Sequence, residues 1–113
     1  MKTSCFFTYQ GPGRISIARW SPRGMSGYRT YKALAPRRDM LKMPYEQYLG
    51  EYLAMLAELD PAQVVEDLKA LAGPAEAVLL CWERAPLSET NFCHRTMVAD
   101  WLERARGIVI PEL

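Results

Sequence analysis

The chain has 113 residues, of which 50% are hydrophobic and 24% charged, which fits one compact globular domain and excludes a disordered chain. No unbroken apolar run exceeds six residues, the length of residues 77–82, which is too short to span a bilayer, and the segment MKTSCFFTYQ lacks the apolar stretch of a signal peptide. Three irregularly spaced cysteines do not form a secreted disulfide framework, so we expect a cytoplasmic protein with no membrane partner.

The net charge of +1 conceals opposite charges in the two parts of the chain. Residues 1–42 carry nine lysines or arginines and one acid, whereas residues 43–113 carry five basic residues and twelve acids. Most basic residues of the first part are arginines, whose guanidinium groups bind phosphate and carboxylate in bidentate fashion. This asymmetry is equally consistent with an anionic ligand and with pairing of the two parts inside one fold.

Two short strands are predicted near the start of the chain, over residues 4–9 and 15–20, where β-branched and aromatic residues are frequent. The QGPG sequence between them supplies the residues of a turn. Residues 21–44 show no periodicity and contain several prolines and glycines, so they are predicted to form a long loop with at most a helical turn. Loops of this length in small domains are often functional.

Two helices are predicted next. Over residues 45–59, apolar side chains recur with the period of one helical face, and the tyrosines of this stripe are expected to lie in the core. The following helix has Asp60 as its N-cap and Pro61 in its first position, and it ends at Gly73. Its predicted inward-facing residues are Val64, Val65, Leu68 and Leu71.

The last part of the chain predicts a central strand, a helix and a short strand. Residues 77–82 form a continuous apolar run, which is typical of a parallel strand covered on both faces. After a loop, a helix is expected from Asn91 or Phe92 to Arg106, followed by a strand over 107–110. This alternation favours a single α/β domain over residues 1–113, with a short, mainly parallel sheet flanked by helices in a Rossmann-like three-layer arrangement.

This arrangement directs two cysteines towards one crevice. Cys81 lies at the carboxyl end of the predicted central strand, and Cys93 lies at the start of the helix that follows. Ligands of open α/β sheets bind beyond the carboxyl ends of the strands, so both cysteines should face the same crevice. We expect their sulfurs to lie close together and their Cα atoms to be less than about 7 Å apart.

The neighbours of the cysteines complete a candidate catalytic set. The positive end of the helix dipole favours a Cys93 thiolate, and Arg95 would favour it further if it points the same way. The two residues that follow Cys93 in the sequence are polar and should keep one side of its side chain accessible to solvent. His94, the only histidine, is a candidate proton carrier near neutral pH, and Glu83 is the nearest carboxylate to Cys81. Together they form a set suited to nucleophilic chemistry, with Arg95 as an anion clamp.

Each of these residues also has a structural interpretation. Cysteines are often buried in cores, and His94 is equally compatible with an exposed position. No paired CxxC motif is present, so no metal site is predicted. Neither a P-loop nor a glycine-rich dinucleotide motif occurs, and the sequence identifies no cofactor and no oligomeric state.

The LLCWE sequence at residues 79–83, followed by FCHRTMVADWLE at 92–103, resembles the signature of the DUF488 family. The ARWSPRG turn at 18–24, the ALAP segment at 33–36 and the tyrosines of the first helix fit the same pattern. The resemblance implies an α/β protein of bacterial or phage origin, from a family with no assigned function. It also implies a set of site residues, which are Cys81, Glu83, Cys93, His94 and Arg95, together with Arg19 and Arg23.

Three functions are compatible with these features. The first is a thiol-dependent enzyme in which Cys93 is the nucleophile or redox thiol, acting on a small anionic or nucleotide-like substrate beside the arginines of residues 19–38. The second is a non-catalytic module that holds an anion at a helix N-terminus. The third is binding of nucleic-acid phosphate through the basic part, with steep salt dependence and with stacking of bases on Trp20, Tyr28 and Tyr31.

Overall fold

A computed structural model describes all 113 residues, which form a four-stranded sheet and three α-helices. The strands are β1 Lys2–Cys5, β2 Arg14–Ser16, β3 Arg29–Thr30 and β4 Val78–Cys81. The helices are α1 Tyr45–Ala57, α2 Pro61–Ala72 and α3 His94–Arg106, and two short 3₁₀ helices span Lys32–Leu34 and Arg38–Lys42. None of the helices combines the length and apolar content that crossing a membrane requires.

The strands follow the order β1-β4-β2-β3, and every neighbouring pair is parallel. β4 pairs on one side with β1, where Cys5 lies opposite Cys81, and on the other side with β2, where Ser16 lies opposite Leu80. All four residues of β4 are buried, because both faces of the sheet are covered. The predicted central strand and the predicted α/β class with a parallel sheet are therefore confirmed.

The two faces of the sheet are covered differently. Ile15 and Leu79 face the larger core, which contains residues of α1, α2 and α3, and contacts of α3 with both other helices place all three on this side. Val78 and Leu80 face a smaller cluster with Phe6 and with side chains from loops. The second outer layer thus consists of loops, where the Rossmann-like three-layer prediction placed helices. The connections that supply it, residues 6–13 and 17–28, contain prolines and glycines, which disfavour helices.

Both strands of the first part are shorter than predicted. β1 ends at Cys5, because the N–H groups of Thr8 and Tyr9 donate to the Cys5 carbonyl and turn the chain away from the sheet. β2 ends at Ser16 instead of residue 20. The predicted loop over 21–44 contains the additional strand β3, whose two residues are exposed and therefore carry no hydrophobic pattern.

The strand predicted over 107–110 does not form. Pairing with the sheet begins beyond it, because the Thr3 N–H donates to the Pro111 carbonyl and the Leu113 N–H donates to the Thr3 carbonyl. Residues 111–113 therefore lie along the outer edge of β1, with a single bridge between Thr3 and Glu112. This contact covers an edge strand that would otherwise present unpaired backbone groups.

The predicted core face of the first two helices is confirmed. Tyr48 and Tyr52 of α1 are buried, and the Tyr52 hydroxyl donates to the Leu34 carbonyl at 2.6 Å, which ties α1 to the first 3₁₀ helix. In α2 the predicted inward-facing residues that are fully buried are Val64, Val65 and Leu68, and Leu71 is partly buried.

The start of α2 allows a test of the predicted cap. Asp60 Oδ1 accepts a hydrogen bond from the Ala62 N–H at 3.0 Å. We expect Asp60→Ala to lower the free energy of unfolding by about 1 kcal/mol, because an amide of the first turn loses its partner. Asp60→Asn keeps an acceptor and should stay close to the wild type. Urea denaturation followed by circular dichroism measures both variants, and equal destabilisation by the two would contradict the capping role.

Candidate functional site

A cleft of about 460 Å³ opens at the carboxyl ends of β2 and β4. Its walls come from the residues that follow these two strands, from the second 3₁₀ helix and α1, and from the segment that leads into α3. Cys81 is the last residue of β4, and Cys93 is the N-cap of α3, so both lie at this edge of the sheet. The cleft thus occupies the place where parallel sheets bind ligands.

Cys81 and Cys93 both line the cleft and are joined by a disulfide bond. Their Cα atoms are 7.3 Å apart, slightly beyond the predicted limit of about 7 Å, whereas the predicted closeness of the sulfurs is confirmed. The expected solvent exposure of Cys93 is wrong, because both cysteines are buried in the cluster that contains Phe6 and Leu80.

α3 begins at His94, later than the predicted Asn91 or Phe92. The Asn91 side-chain amide donates to the carbonyls of Arg84 and Pro86, and these bonds hold the preceding loop in a non-helical conformation. Cys93 itself has an extended backbone, with φ −139° and ψ 142°. It therefore occupies the N-cap position instead of lying in the first turn, and its side chain makes no capping hydrogen bond.

His94 is buried, and its hydrogen bond defines its tautomer. Nε2 lies 2.7 Å from the Ile17 carbonyl oxygen, which can only accept, so Nε2 carries the proton. Nδ1 then presents its lone pair towards the Cys93 sulfur, 3.8 Å away. Burial lowers the pKa of His94 from 6.5 to about 4, partly opposed by the bond to Ile17. The ring is therefore neutral at pH 7, and the role of His94 as a proton carrier stays a prediction.

Arg95 is fully buried, and all three of its nitrogens donate hydrogen bonds inside the protein. Nε and Nη2 donate to the two carboxylate oxygens of Glu112 at 2.9 and 2.8 Å. Nη1 donates to the Glu83 carbonyl at 2.7 Å and to Cys81 Sγ at 3.3 Å. The guanidinium therefore contacts Cys81 rather than Cys93, and its bidentate pairing with Glu112 takes the place of the predicted external anion.

Glu112 belongs to the site although the sequence did not indicate it. It reaches Arg95 because residues 111–113 run along β1, where Thr3 Oγ1 also donates to Glu112 at 2.7 Å. One signal was available, since an arginine on the buried side of a helix requires a carboxylate partner. The sequence offers 13 acids, and no spacing rule selects this one.

The other predicted residues divide between the cleft and the surface. Arg19 and Glu83 line the cleft, and Arg19 Nε is buried without a hydrogen-bond partner in the protein. Arg23 is exposed and does not line the cleft. Lys42, which the sequence did not single out, supplies a second cationic side chain. The cleft thus presents two cations and one carboxylate.

Aromatic side chains complete the lining. Trp82 Nε1 donates to the Trp20 carbonyl at 2.6 Å, which joins the segments that follow β4 and β2. Both indoles remain partly exposed, at 54% for Trp20 and 43% for Trp82, so they can contact a bound molecule. Burial, with Glu83 as the second cause, raises the pKa of Tyr48, so its hydroxyl stays protonated. Exposed indoles beside cations suit a flat, anionic ligand.

Comparison with known proteins tests the resemblance to a family. No curated protein and no solved structure matches the chain. The family model DUF488-N3a, described as the active DUF488-N3 subclade, matches residues 8–106. This range contains both cysteines of the cleft but excludes Glu112. Because the match covers most of the sequence and agrees with the LLCWE and CHR segments, the chain belongs to the DUF488 family.

Proposed function

We propose that the protein is a thiol-dependent enzyme in which Cys81 and Cys93 act as a redox pair on a small anionic or nucleotide-like substrate. The observation that carries the proposal is that two sulfurs from separate elements meet at the wall of a cleft that also presents Arg19 and Lys42. A disulfide with a purely structural role requires neither cations nor exposed indoles beside it.

In the reduced pair, Cys81 is the proposed nucleophile. Arg95 Nη1 lies 3.3 Å from its sulfur and stabilises a thiolate through charge and a hydrogen bond. This assignment exchanges the roles expected from the sequence, in which Cys93 was the nucleophile. Cys93 becomes the resolving thiol, because its sulfur is within bonding distance of Cys81.

The proposed reaction transfers two electrons. The Cys81 thiolate attacks an electrophilic atom of the substrate, forms a bond to it, and expels a leaving group with its electron pair. The Cys93 thiolate then attacks the Cys81 sulfur, which forms the disulfide and releases the substrate atom with the bonding electrons. The substrate is reduced by two electrons and the dithiol is oxidised by two, and two equivalents of an external thiol, which become a disulfide, restore the reduced pair.

A matched pair of alkylating reagents tests both the nucleophile and the anion preference. Iodoacetate and iodoacetamide are similar in size, but only iodoacetate is anionic. We expect the reduced protein to be alkylated first at Cys81, and the rate ratio of iodoacetate to iodoacetamide to exceed that of free cysteine by about tenfold, because the two cations concentrate anions in the cleft. Peptide mass spectrometry with EDTA present measures the modification of each cysteine.

Control variants separate the contribution of the two cations from that of the individual cysteines. Arg19→Gln together with Lys42→Gln should remove the preference for iodoacetate and leave the iodoacetamide rate unchanged. Cys5→Ser should behave as the wild type, because Cys5 is buried in β1 and does not line the cleft. Equal labelling of Cys5 and Cys81, or a reagent ratio equal to that of free cysteine, would contradict the proposed function.

A non-catalytic module for anions or nucleic-acid phosphate is the second candidate. It is favoured by a neighbouring cleft lined by Arg19, Lys32 and Arg37 beside Trp20. Against it, Arg37 pairs with two carboxylates, and the Tyr31 hydroxyl donates to Asp67. Fluorescence anisotropy with a labelled single-stranded oligonucleotide distinguishes the candidates. Binding that falls steeply with salt and is unchanged in Cys81→Ser would favour the module.

A further inference from the structure

We infer that the reduced site binds a soft divalent metal ion, with zinc as the best fit, through Cys81 Sγ, Cys93 Sγ and His94 Nδ1. The ligand atoms of these three residues lie within 4.8 Å of one another, and all three residues are buried. The inference goes beyond the proposed redox reaction, although it uses the same two thiols. It also differs from the expectation from sequence, because the ligands come from two elements instead of a paired CxxC motif.

His94 already has the orientation of a metal ligand. Histidines that bind metals usually donate their other N–H to a carboxylate or a backbone carbonyl, which fixes the ring and the tautomer. Nε2 donates to the Ile17 carbonyl at 2.7 Å, which leaves the Nδ1 lone pair facing the Cys93 sulfur at 3.8 Å. Zinc bonds of about 2.3 Å to sulfur and about 2.0 Å to nitrogen place tetrahedral ligand atoms about 3.5 Å apart. The observed separation is close to that value.

The two sulfurs need only a small movement to accept the ion. Tetrahedral zinc holds two thiolate sulfurs about 3.8 Å apart. The Cα atoms of Cys81 and Cys93, at 7.3 Å, are already farther apart than the range of about 4.4–6.8 Å usual for disulfides. Once the bond is reduced, side-chain rotation therefore opens the site without a backbone shift. Arg95 would donate its hydrogen bond to a ligated Cys81 thiolate.

Three protein ligands leave the fourth position of a tetrahedral ion open towards the cleft. Two thiolates and one imidazole with an open position form a donor set used by catalytic zinc sites. Arg19 and Lys42 line the same cleft, so an anionic ligand or a water molecule can complete the coordination. The metal-bound form has no free thiolate. Metal binding and disulfide formation therefore exclude each other, and zinc inhibits the proposed thiol reaction.

Titration of the intact chain with cobalt(II) and zinc tests the inference. The reduced protein, treated with EDTA and desalted without oxygen, should bind one equivalent of cobalt(II) with thiolate-to-cobalt charge-transfer absorption, and zinc should displace it. The oxidised protein should bind none. Cys81→Ser and Cys93→Ser, which nearly preserve side-chain volume, should each lower zinc affinity by at least about tenfold. Cys5→Ser serves as the matched control and should bind as the wild type.

The outcomes separate this inference from the proposed function. No charge-transfer absorption from the reduced protein, or an unchanged zinc affinity in Cys81→Ser, would overturn the metal site while leaving the iodoacetate result intact. Charge-transfer absorption together with an iodoacetate-to-iodoacetamide ratio equal to that of free cysteine would support the metal site and contradict the proposed redox reaction. Circular dichroism of each variant confirms that weaker binding does not result from unfolding.

Discussion

Glu112→Gln is expected to lower the free energy of unfolding by about 3 kcal/mol, because loss of one partner from a buried ion pair leaves the other charge uncompensated. Arg95 is fully buried and donates hydrogen bonds to both carboxylate oxygens of Glu112. The Glu112 side chain is 31% exposed, so water offsets part of the loss and keeps the effect near the lower end of the usual range. Glutamine preserves the volume, removes the charge, and replaces one of the two oxygens that accept from Arg95 with an NH2 group that cannot accept.

Glu103→Gln is the matched control for this substitution. Glu103 is an exposed acid on the same helix as Arg95, so its neutralisation should change the stability by less than about 0.5 kcal/mol. Urea denaturation of the oxidised protein at neutral pH measures both variants. Similar stabilities for Glu112→Gln and Glu103→Gln would show that Arg95 does not depend on the Glu112 carboxylate.

Acidification from pH 7 to pH 4 is expected to cost about 3 kcal/mol of stability through His94. Burial lowers the pKa of His94 from 6.5 in the unfolded chain to about 4 in the folded protein. Between these values the unfolded chain binds a proton that the folded protein does not, so the folded state loses stability as the pH falls. The stabilisation is complete above pH 6.5, and the loss ends below about pH 4, where both states are protonated.

Between pH 7 and pH 5, the change in stability reports mainly on His94. Asp67 and Glu76, whose pKa values are lowered by hydrogen bonds, have ordinary values of 3.8 and 4.5 and therefore act mainly below pH 5. We expect a loss of about 2 kcal/mol between pH 7 and pH 5, measured by urea denaturation of the oxidised, metal-free protein. His94→Gln should remove this slope, with far-UV circular dichroism as the check on its fold. A wild-type stability that stays constant over this range would contradict a buried, neutral His94.

The sequence was most informative where burial governs the pattern. The unbroken apolar run of residues 77–82 predicted the central strand, observed as β4 Val78–Cys81, and the helical period of residues 45–59 predicted the face that Tyr48 and Tyr52 bury. β3 could not be predicted, because its two exposed residues pair only through their backbone with β2. Backbone pairing of this kind leaves no trace in side-chain composition.

The candidate site was also predictable in one respect and unpredictable in another. The meeting of Cys81 and Cys93 followed from the rule that strand ends and helix starts share one edge of a parallel sheet. The roles of their neighbours did not follow, because consecutive residues of a helix point in directions about 100° apart. His94 therefore reaches the Ile17 carbonyl, while Arg95 turns to Cys81 and Glu112. Adjacency in the sequence suggested a single cluster around Cys93, whereas the helix distributes its members over different partners.

The strand order also constrains how the chain folds. β1 and β2 are the first strands in the sequence, but they pair with each other only through β4, which follows two helices. Before β4 is synthesised, β1 has no partner strand and β2 can pair only with the two-residue strand β3, so nothing holds β1 and β2 in register. Long-range pairing of this type must first overcome the entropy of closing the intervening loop. The complete sheet can therefore form only after residues 78–81 have been synthesised. The strand that joins β1 to β2 also ends at Cys81 and so positions this cysteine at the cleft.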